Sequence, residues 1–260
     1  MKPRSTEAAM SEPNAPIFEI FSGIQGEGIY VGVRQIFVRF CGCNRHCRYC
    51  DTQEACQPTE RCAIEQAPGS RHFLDFKNPL TLSETVRAIT SLNPFRGLHD
   101  SASLTGGEPL LHPDFIAALC PTLDTQGLPI YLETNGTLPD ALERAIGGVH
   151  HVAMDIKLES ATGQPTPWDD HRRFLETAAA REVQVKVVVT EDTAEDELLR
   201  VAEVVRSVRA ATPVVLQPVT PIRGVRRPSP MQVLQMQELM KRRLPNVRVI
   251  PQVHRLMEQK

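Results

Sequence analysis

From Ser101 to Ile250, short β-type runs and amphipathic helical stretches take turns along the chain. That rhythm limits the fold more than any other feature. Strands are expected at 101–105, 130–133, 151–156, 183–190, 213–217 and 247–250. Helices are expected between them at 113–126, 138–146, 169–181, 195–209 and 231–244. Upstream, Gln35 to Phe40 reads as a first strand, and Thr81-Leu-Ser-Glu84 is a capping box that opens a helix to about Leu92. Regular alternation predicts an α/β fold, a parallel sheet with right-handed crossovers and flanking helices. In such sheets ligands bind at the carboxyl ends of the strands.

Polar residues collect at those ends. A cysteine-rich loop follows the first strand, and Gly106-Gly107-Glu108 follows the second. Glu133 and Asn135 close the third, Asp155 and Lys157 the fourth, Lys186 lies in the fifth and Gln217 ends the sixth. The loop holds Cys41, Cys43, Cys47 and Cys50 among the chain's seven cysteines. Cys43, Cys47 and Cys50 have the spacing C-x3-C-x2-C, so three thiolates can converge on one inorganic centre. A closed zinc site and an ordinary iron–sulfur cluster each take four protein ligands. Three suggest a cluster with one iron left for something else. A zinc site completed by His46 or Cys56 is the alternative. Cys41 reads as a spectator, Cys56 and Cys62 as free thiols, and Cys120 as core. Lys186 alone reads as no more than a charge between strands.

Composition narrows the surroundings. A formal net charge of −2 gives no bulk attraction to nucleic acid. No run of eighteen apolar residues exists to span a membrane. Clustered, odd-numbered cysteines fit a reducing cytoplasm better than a disulfide framework. Residues 1–16 are expected to be a disordered leader, residues 17–260 a single domain, and residues 53–79 an irregular insertion punctuated by prolines. Glycines at 23, 26, 28 and 32 make the stretch from Glu19 to Gly32 a glycine-rich hairpin rather than a helix.

The three cysteines, Tyr49 just before the last of them, and the Gly-Gly-Glu segment resemble the radical S-adenosylmethionine superfamily. The resemblance narrows with Glu19-Ile-Phe21, Gln25-Gly-Glu-Gly28, Phe37-Val-Arg39, Gly42-Cys-Asn44 and Cys50-Asp-Thr52. Thr105-Gly-Gly-Glu-Pro109, Glu133-Thr-Asn-Gly-Thr137, Asp155-Ile-Lys157 and Gln252-Val-His254 continue it. In this order the segments are similar to the 7-carboxy-7-deazaguanine synthase family. The resemblance implies a partial (β/α)6-type barrel and a lyase. It would convert 6-carboxy-5,6,7,8-tetrahydropterin to 7-carboxy-7-deazaguanine with loss of ammonia, in queuosine biosynthesis.

It also implies the cofactors and their residues. A 4Fe–4S cluster would be held by Cys43, Cys47 and Cys50, with S-adenosylmethionine on its open iron. Tyr49, Cys50, Asp51, Gly107, Glu108, Asp155, Ile156, Lys157 and Gln217 would contact that cofactor. Ile24, Gln25, Gly26, Glu27, Arg39, Thr105 and His254 would bind the pterin, with Arg39 on its carboxylate. Thr52 would offer its hydroxyl to Mg²⁺. The expected partners are an electron donor such as flavodoxin or ferredoxin and a second copy in a homodimer, with no nucleic acid and no membrane. A glycyl-radical activase and a non-enzymatic zinc-binding module are the rival readings.

Overall fold

The computed structural model describes residues 12–260. Residues 1–11 of the expected leader lie outside the described residues. Its last residues are ordered, because Asn14–Ala15 (β1) pairs antiparallel with Leu80–Thr81 (β6).

The other strands form one ten-stranded sheet. In chain order they are β2 (Ile17–Ile24), β3 (Arg34–Phe40), β4 (Arg61–Glu65), β5 (Phe73–Lys77) and β7 (Ser101–Gly106). They continue with β8 (Ile130–Thr134), β9 (His151–Asp155), β10 (Glu182–Val189), β11 (Val214–Pro218) and β12 (Val247–Val249). The spatial order is β12-β11-β10-β9-β8-β7-β3-β2-β4-β5. Every pair from β3 to β12 is parallel. The sheet stays open, with β12 and β5 as its edges, so the architecture is a partial barrel with a mostly parallel sheet.

The helices that run between the parallel strands are α2 (Pro113–Thr125), α3 (Pro139–Ala145), α4 (Glu159–Thr162), α5 (Trp168–Ala178), α6 (Glu195–Arg209) and α7 (Pro230–Lys241). They follow α1 (Leu82–Leu92), whose capping box is formed. Glu84 N donates to Thr81 Oγ1 at 3.2 Å, and Thr81 N donates to Glu84 Oε2 at 2.8 Å. In α6, Glu195, Asp196 and Glu197 fill the first turn and Arg206 and Arg209 the last, each sign facing the favourable end of the helix dipole. In β10, Val185, Val187 and Val189 are fully buried and Val188 nearly so, as expected of a strand covered on both faces.

Residues 53–79 correct the expectation of an irregular insertion. Arg61-Cys-Ala-Ile-Glu65 alternates, so Cys62 and Ile64 bury while Arg61 stays out. That strand docks parallel to β2, and β5 pairs back on it. Pro58, Pro68 and Pro79 fall before, between and after the two strands. The prolines therefore mark turns, not an absence of structure.

The glycine-rich stretch is the hairpin turn between β2 and β3. It reaches across the amino ends of the parallel strands. Ile29 N donates to Gln184 Oε1 of β10 at 2.8 Å, and Tyr30 Oη meets His151 Nδ1 of β9 at 2.9 Å. The turn thus plugs the open side of the sheet from below.

Candidate active site

At the carboxyl ends of the parallel strands lies a cavity of about 530 Å³. Cys43, Cys47 and Cys50 reach it from the loop after β3. Cys41 does not: it is buried, with Asn78 Nδ2 near its sulfur. Cys56 brings a fourth thiol to the same wall, with its sulfur 3.8 Å from that of Cys50. Hydrogen bonding from Cys56 pulls Cys43 and Cys50 down to about 6, despite burial, which works the other way. Ligation needs thiolates, so this favours the metal-binding form at Cys43 and Cys50, whereas burial pushes the Cys47 thiol up. Among the described residues no three His, Cys, Asp or Glu side chains converge on a point that could hold a single ion. A cuboidal cluster makes no such demand, because each thiolate binds its own iron.

A chain of polar groups, from buried Asp155 out to exposed Asp51 and Arg255, crosses the floor. Lys157 Nζ donates to Tyr49 Oη at 3.2 Å and to Asp155 Oδ2 at 2.8 Å. Lys186 Nζ is 3.3 Å from the same Asp155 oxygen and is paired with Glu27 Oε2. Gln252 Nε2 donates to Glu27 Oε1 at 2.8 Å and to Asp51 Oδ2 at 3.0 Å. Arg255 closes the chain on Asp51 at 2.9 Å. Burial works to raise all three carboxyls, but the lysine charges outweigh it at Glu27 and Asp155. At Asp51, burial is likewise outweighed by hydrogen bonds from Gln252, Arg255 and Thr52, which hold it at about 2. The three carboxylates of the network stay ionised.

The opposite wall comes from the β2–β3 hairpin and from β7 and β8. Gln25 Nε2 donates to Gln35 Oε1 and to Glu133 Oε1, both at 2.9 Å, so its amide is held flat at the cavity edge. Ser103 Oγ donates to Glu133 Oε1 at 2.8 Å, and Thr105 Oγ1 lies 3.4 Å from the other oxygen. Arg39 Nε donates to Glu19 Oε1 at 2.8 Å. A Cβ on Gly26 would lie 2.1 Å from His254 Nδ1, so only glycine lets the C-terminal segment settle there. Gly107 is equally fixed, since its Cβ would meet the Gly42 carbonyl oxygen at 1.8 Å.

Most expected residues therefore meet in one place. Ile24, Gln25, Gly26, Glu27, Arg39, Thr105 and His254 line the cavity. So do Tyr49, Asp51, Thr52, Gly107, Asp155, Lys157 and Gln217. Two do not. Glu108 is fully buried behind the wall, where it accepts from Thr134 Oγ1 and Asn135 N at 2.8 Å each. Burial, against those hydrogen bonds, pushes it up to about 7. Ile156 is fully buried among core residues, and its N–H donates to Lys186 O. Sequence reasoning missed Lys186 as a site residue, along with Gln252 as a bridge, Arg255, Glu19 and Lys260. The Gln252-Val-His254 segment could have pointed to Gln252. Nothing local marks Lys260.

The cavity suits the cofactors that three cysteines suggested. Among the described residues, Asp155 Oδ1 and Gln217 Oε1 are buried acceptors without a partner, and both residues line it. Unsatisfied buried acceptors call for donors. The ammonium, ribose hydroxyls and adenine amine of S-adenosylmethionine are such donors.

Comparison with known proteins bears on the same point. Residues 37–194 match the Radical SAM superfamily, and this defines the class of protein. A 7-carboxy-7-deazaguanine synthase of Geobacter sulfurreducens is 45% identical over 251 residues, covering 96% of this chain and 100% of that protein. One from Methanothermobacter thermautotrophicus is 34% identical over 94% of this chain and 97% of its own length. The chain belongs to the 7-carboxy-7-deazaguanine synthase family. The crystal structure of QueE from Escherichia coli superposes with a TM-score of 0.61 at 21% identity, covering 93% of this chain and 95% of that one, a likeness of fold. Superfamily membership brings a 4Fe–4S cluster and S-adenosylmethionine as cofactors, and it displaces the zinc-module reading.

Proposed function

We propose that the chain is the lyase that converts 6-carboxy-5,6,7,8-tetrahydropterin to 7-carboxy-7-deazaguanine with loss of ammonia, on the route to queuosine. The observation that carries this reading is 45% identity across the whole length of a curated 7-carboxy-7-deazaguanine synthase. When bound, the cluster and S-adenosylmethionine supply one-electron reduction and a hydrogen-abstracting group, chemistry that side chains lack.

The chain's own residues bind, orient and shield. Cys43, Cys47 and Cys50 hold the cluster. Tyr49, Asp51, Gly107, Asp155, Lys157 and Gln217 surround S-adenosylmethionine, and Glu108 acts behind them by fixing Thr134 and Asn135. Arg39 takes the substrate carboxylate, where a guanidinium fits best. Ile24, Gln25, Gly26, Glu27, Thr105 and His254 present backbone and amide edges to the flat heterocycle. Lys186 stays charged between two carboxylates, so it is a fixed cation rather than a base. Thr52 would offer a hydroxyl to Mg²⁺, a hard cation that takes oxygen ligands. Gln252, His254, Arg255, Gln259 and Lys260 add a wall to the cavity from the C-terminal segment. A single-electron donor of the flavodoxin or ferredoxin type and a homodimer complete the proposal. No helix among the described residues is long and apolar enough to cross a membrane.

The test is direct. Anaerobic, reduced protein is incubated with the tetrahydropterin and S-adenosylmethionine, and the deazaguanine product is sought by mass. Protein that cleaves S-adenosylmethionine but leaves the pterin intact would sink the assignment and favour another radical enzyme.

A further inference from the structure

We propose that Lys260 is a second cationic contact for the substrate carboxylate, and that Glu19 is the positioning residue that holds both Lys260 and Arg39. This deepens the pterin reading and rests on it.

Glu19 projects from β2 into the cavity and is only 2% exposed. Its two oxygens have different partners. Oε1 accepts from Arg39 Nε at 2.8 Å, and Oε2 accepts from Lys260 Nζ. A buried carboxylate that aims each oxygen at a separate cation fixes the distance between those cations. Two cations share this one carboxylate, and all three residues line the cavity, so both cations stand beside the space where a substrate would lie.

The lysine has a built seat. Its ammonium lies 4.3 Å from the ring centroid of Phe73 and 5.2 Å from that of Phe21. Phe21 is stacked on Phe37, which fixes its plane. Aromatic faces attract ammonium groups, and this lysine side chain stays half-exposed at the cavity mouth. Burial of the shared carboxylate reduces screening. The Arg39 guanidinium carbon is 5.9 Å from the same Phe21 ring, so both cations use one aromatic wall.

The segment carrying Lys260 is tied down along its length. Val253 N donates to Gly26 O at 2.9 Å, Arg255 is paired with Asp51, and Gln259 N donates to His254 O at 2.9 Å. Arg71, in the turn between β4 and β5, donates to Glu258 O. Lys260 is thereby delivered beside Arg39 by the fold, not by chance contact. A ligand with an acidic substituent at this end meets a planar donor from one side and a point charge from the other.

The experiment compares two stable ligands on cluster-loaded protein by anaerobic calorimetry: 6-carboxypterin, and pterin without the carboxylate. The unmutated protein is expected to prefer 6-carboxypterin. Lys260→Met is expected to weaken 6-carboxypterin roughly tenfold, the usual scale of one charge-assisted contact, and to leave pterin within about twofold. Lys260→Arg is expected to recover most of the loss. Glu19→Gln is expected to reduce the preference between the two ligands, since both cations lose their common anchor. Equal weakening of both ligands by Lys260→Met would make the residue a latch and overturn the proposal. No change for either ligand would overturn it as well. If the unmutated protein binds neither pterin, the proposed function itself fails.

Discussion

Cys56 places its sulfur 3.8 Å from that of Cys50, so four thiols rather than three face the cavity. Geometry near a cluster site does not by itself make a ligand. Sulfurs that bind separate irons of one cuboidal cluster stand well apart, so Cys50 and Cys56 cannot both serve while this close. We expect Cys56→Ser to retain its iron and its visible absorbance after anaerobic reconstitution, and Cys47→Ala to lose both. Iron loss in Cys56→Ser to the level of Cys47→Ala would move Cys56 into the ligand set. At this scale the sequence is informative where chemistry depends on neighbours along the chain. The cysteine triplet is legible because its spacing lies within one loop, whereas Tyr49, Asp51 and Thr52 were singled out only through the family resemblance. Lys186 is not, because its partner Glu27 lies 159 residues away. Lys260 and Glu19 are 241 residues apart and illegible for the same reason.

Among the elements, the β2–β3 turn has the most consequence for its length. Gln184 is buried, accepts from Ile29 N at 2.8 Å and donates to Tyr131 Oη. It is the bolt that joins the turn to β10. Gln184→Ala leaves the Ile29 N–H and the Tyr131 hydroxyl without this partner. We expect a loss of about 1–3 kcal/mol in denaturant unfolding, the cost of stranding buried polar groups. A change within experimental error would mean that the turn is held elsewhere. The helices and parallel strands were readable because period and caps agree; α6 spans the residues its pattern predicts. The β4–β5 hairpin was not. Its strands are short, β5 is almost wholly exposed, and prolines at its turns mask the alternation of β4.

For the whole molecule, burial of His99, His171 and Glu108 shapes the stability profile between pH 5 and pH 7, with His112 and His151, also pulled down by burial, acting in the same sense as the other two histidines. Burial pulls His99 and His171 down to about 4 from an ordinary 6.5. The unfolded chain binds protons there more readily, so their contribution is complete above pH 6.5 and is lost as pH falls toward 4. Glu108 acts in the opposite sense. Burial raises it from 4.5 to about 7, so its contribution is complete below pH 4.5 and is lost as pH rises through 7. The histidines outweigh one glutamate, and we expect the melting temperature to rise from pH 5 to pH 7. Thermal scans at three pH values check this, and His171→Asn should flatten the slope. A profile that falls over that range would show Glu108 dominating.

The segment that lines the cavity from the C-terminal side also has a place in time. Gln252 meets Asp51 across 201 residues of chain. During synthesis the cysteine loop leaves the ribosome long before that segment does. A nascent chain therefore presents its thiols before Gln252 and Arg255 have been made, and Asp51 gains those partners only afterwards. The site is thus built in the order of the chain, the cysteine loop first and the wall that faces it last.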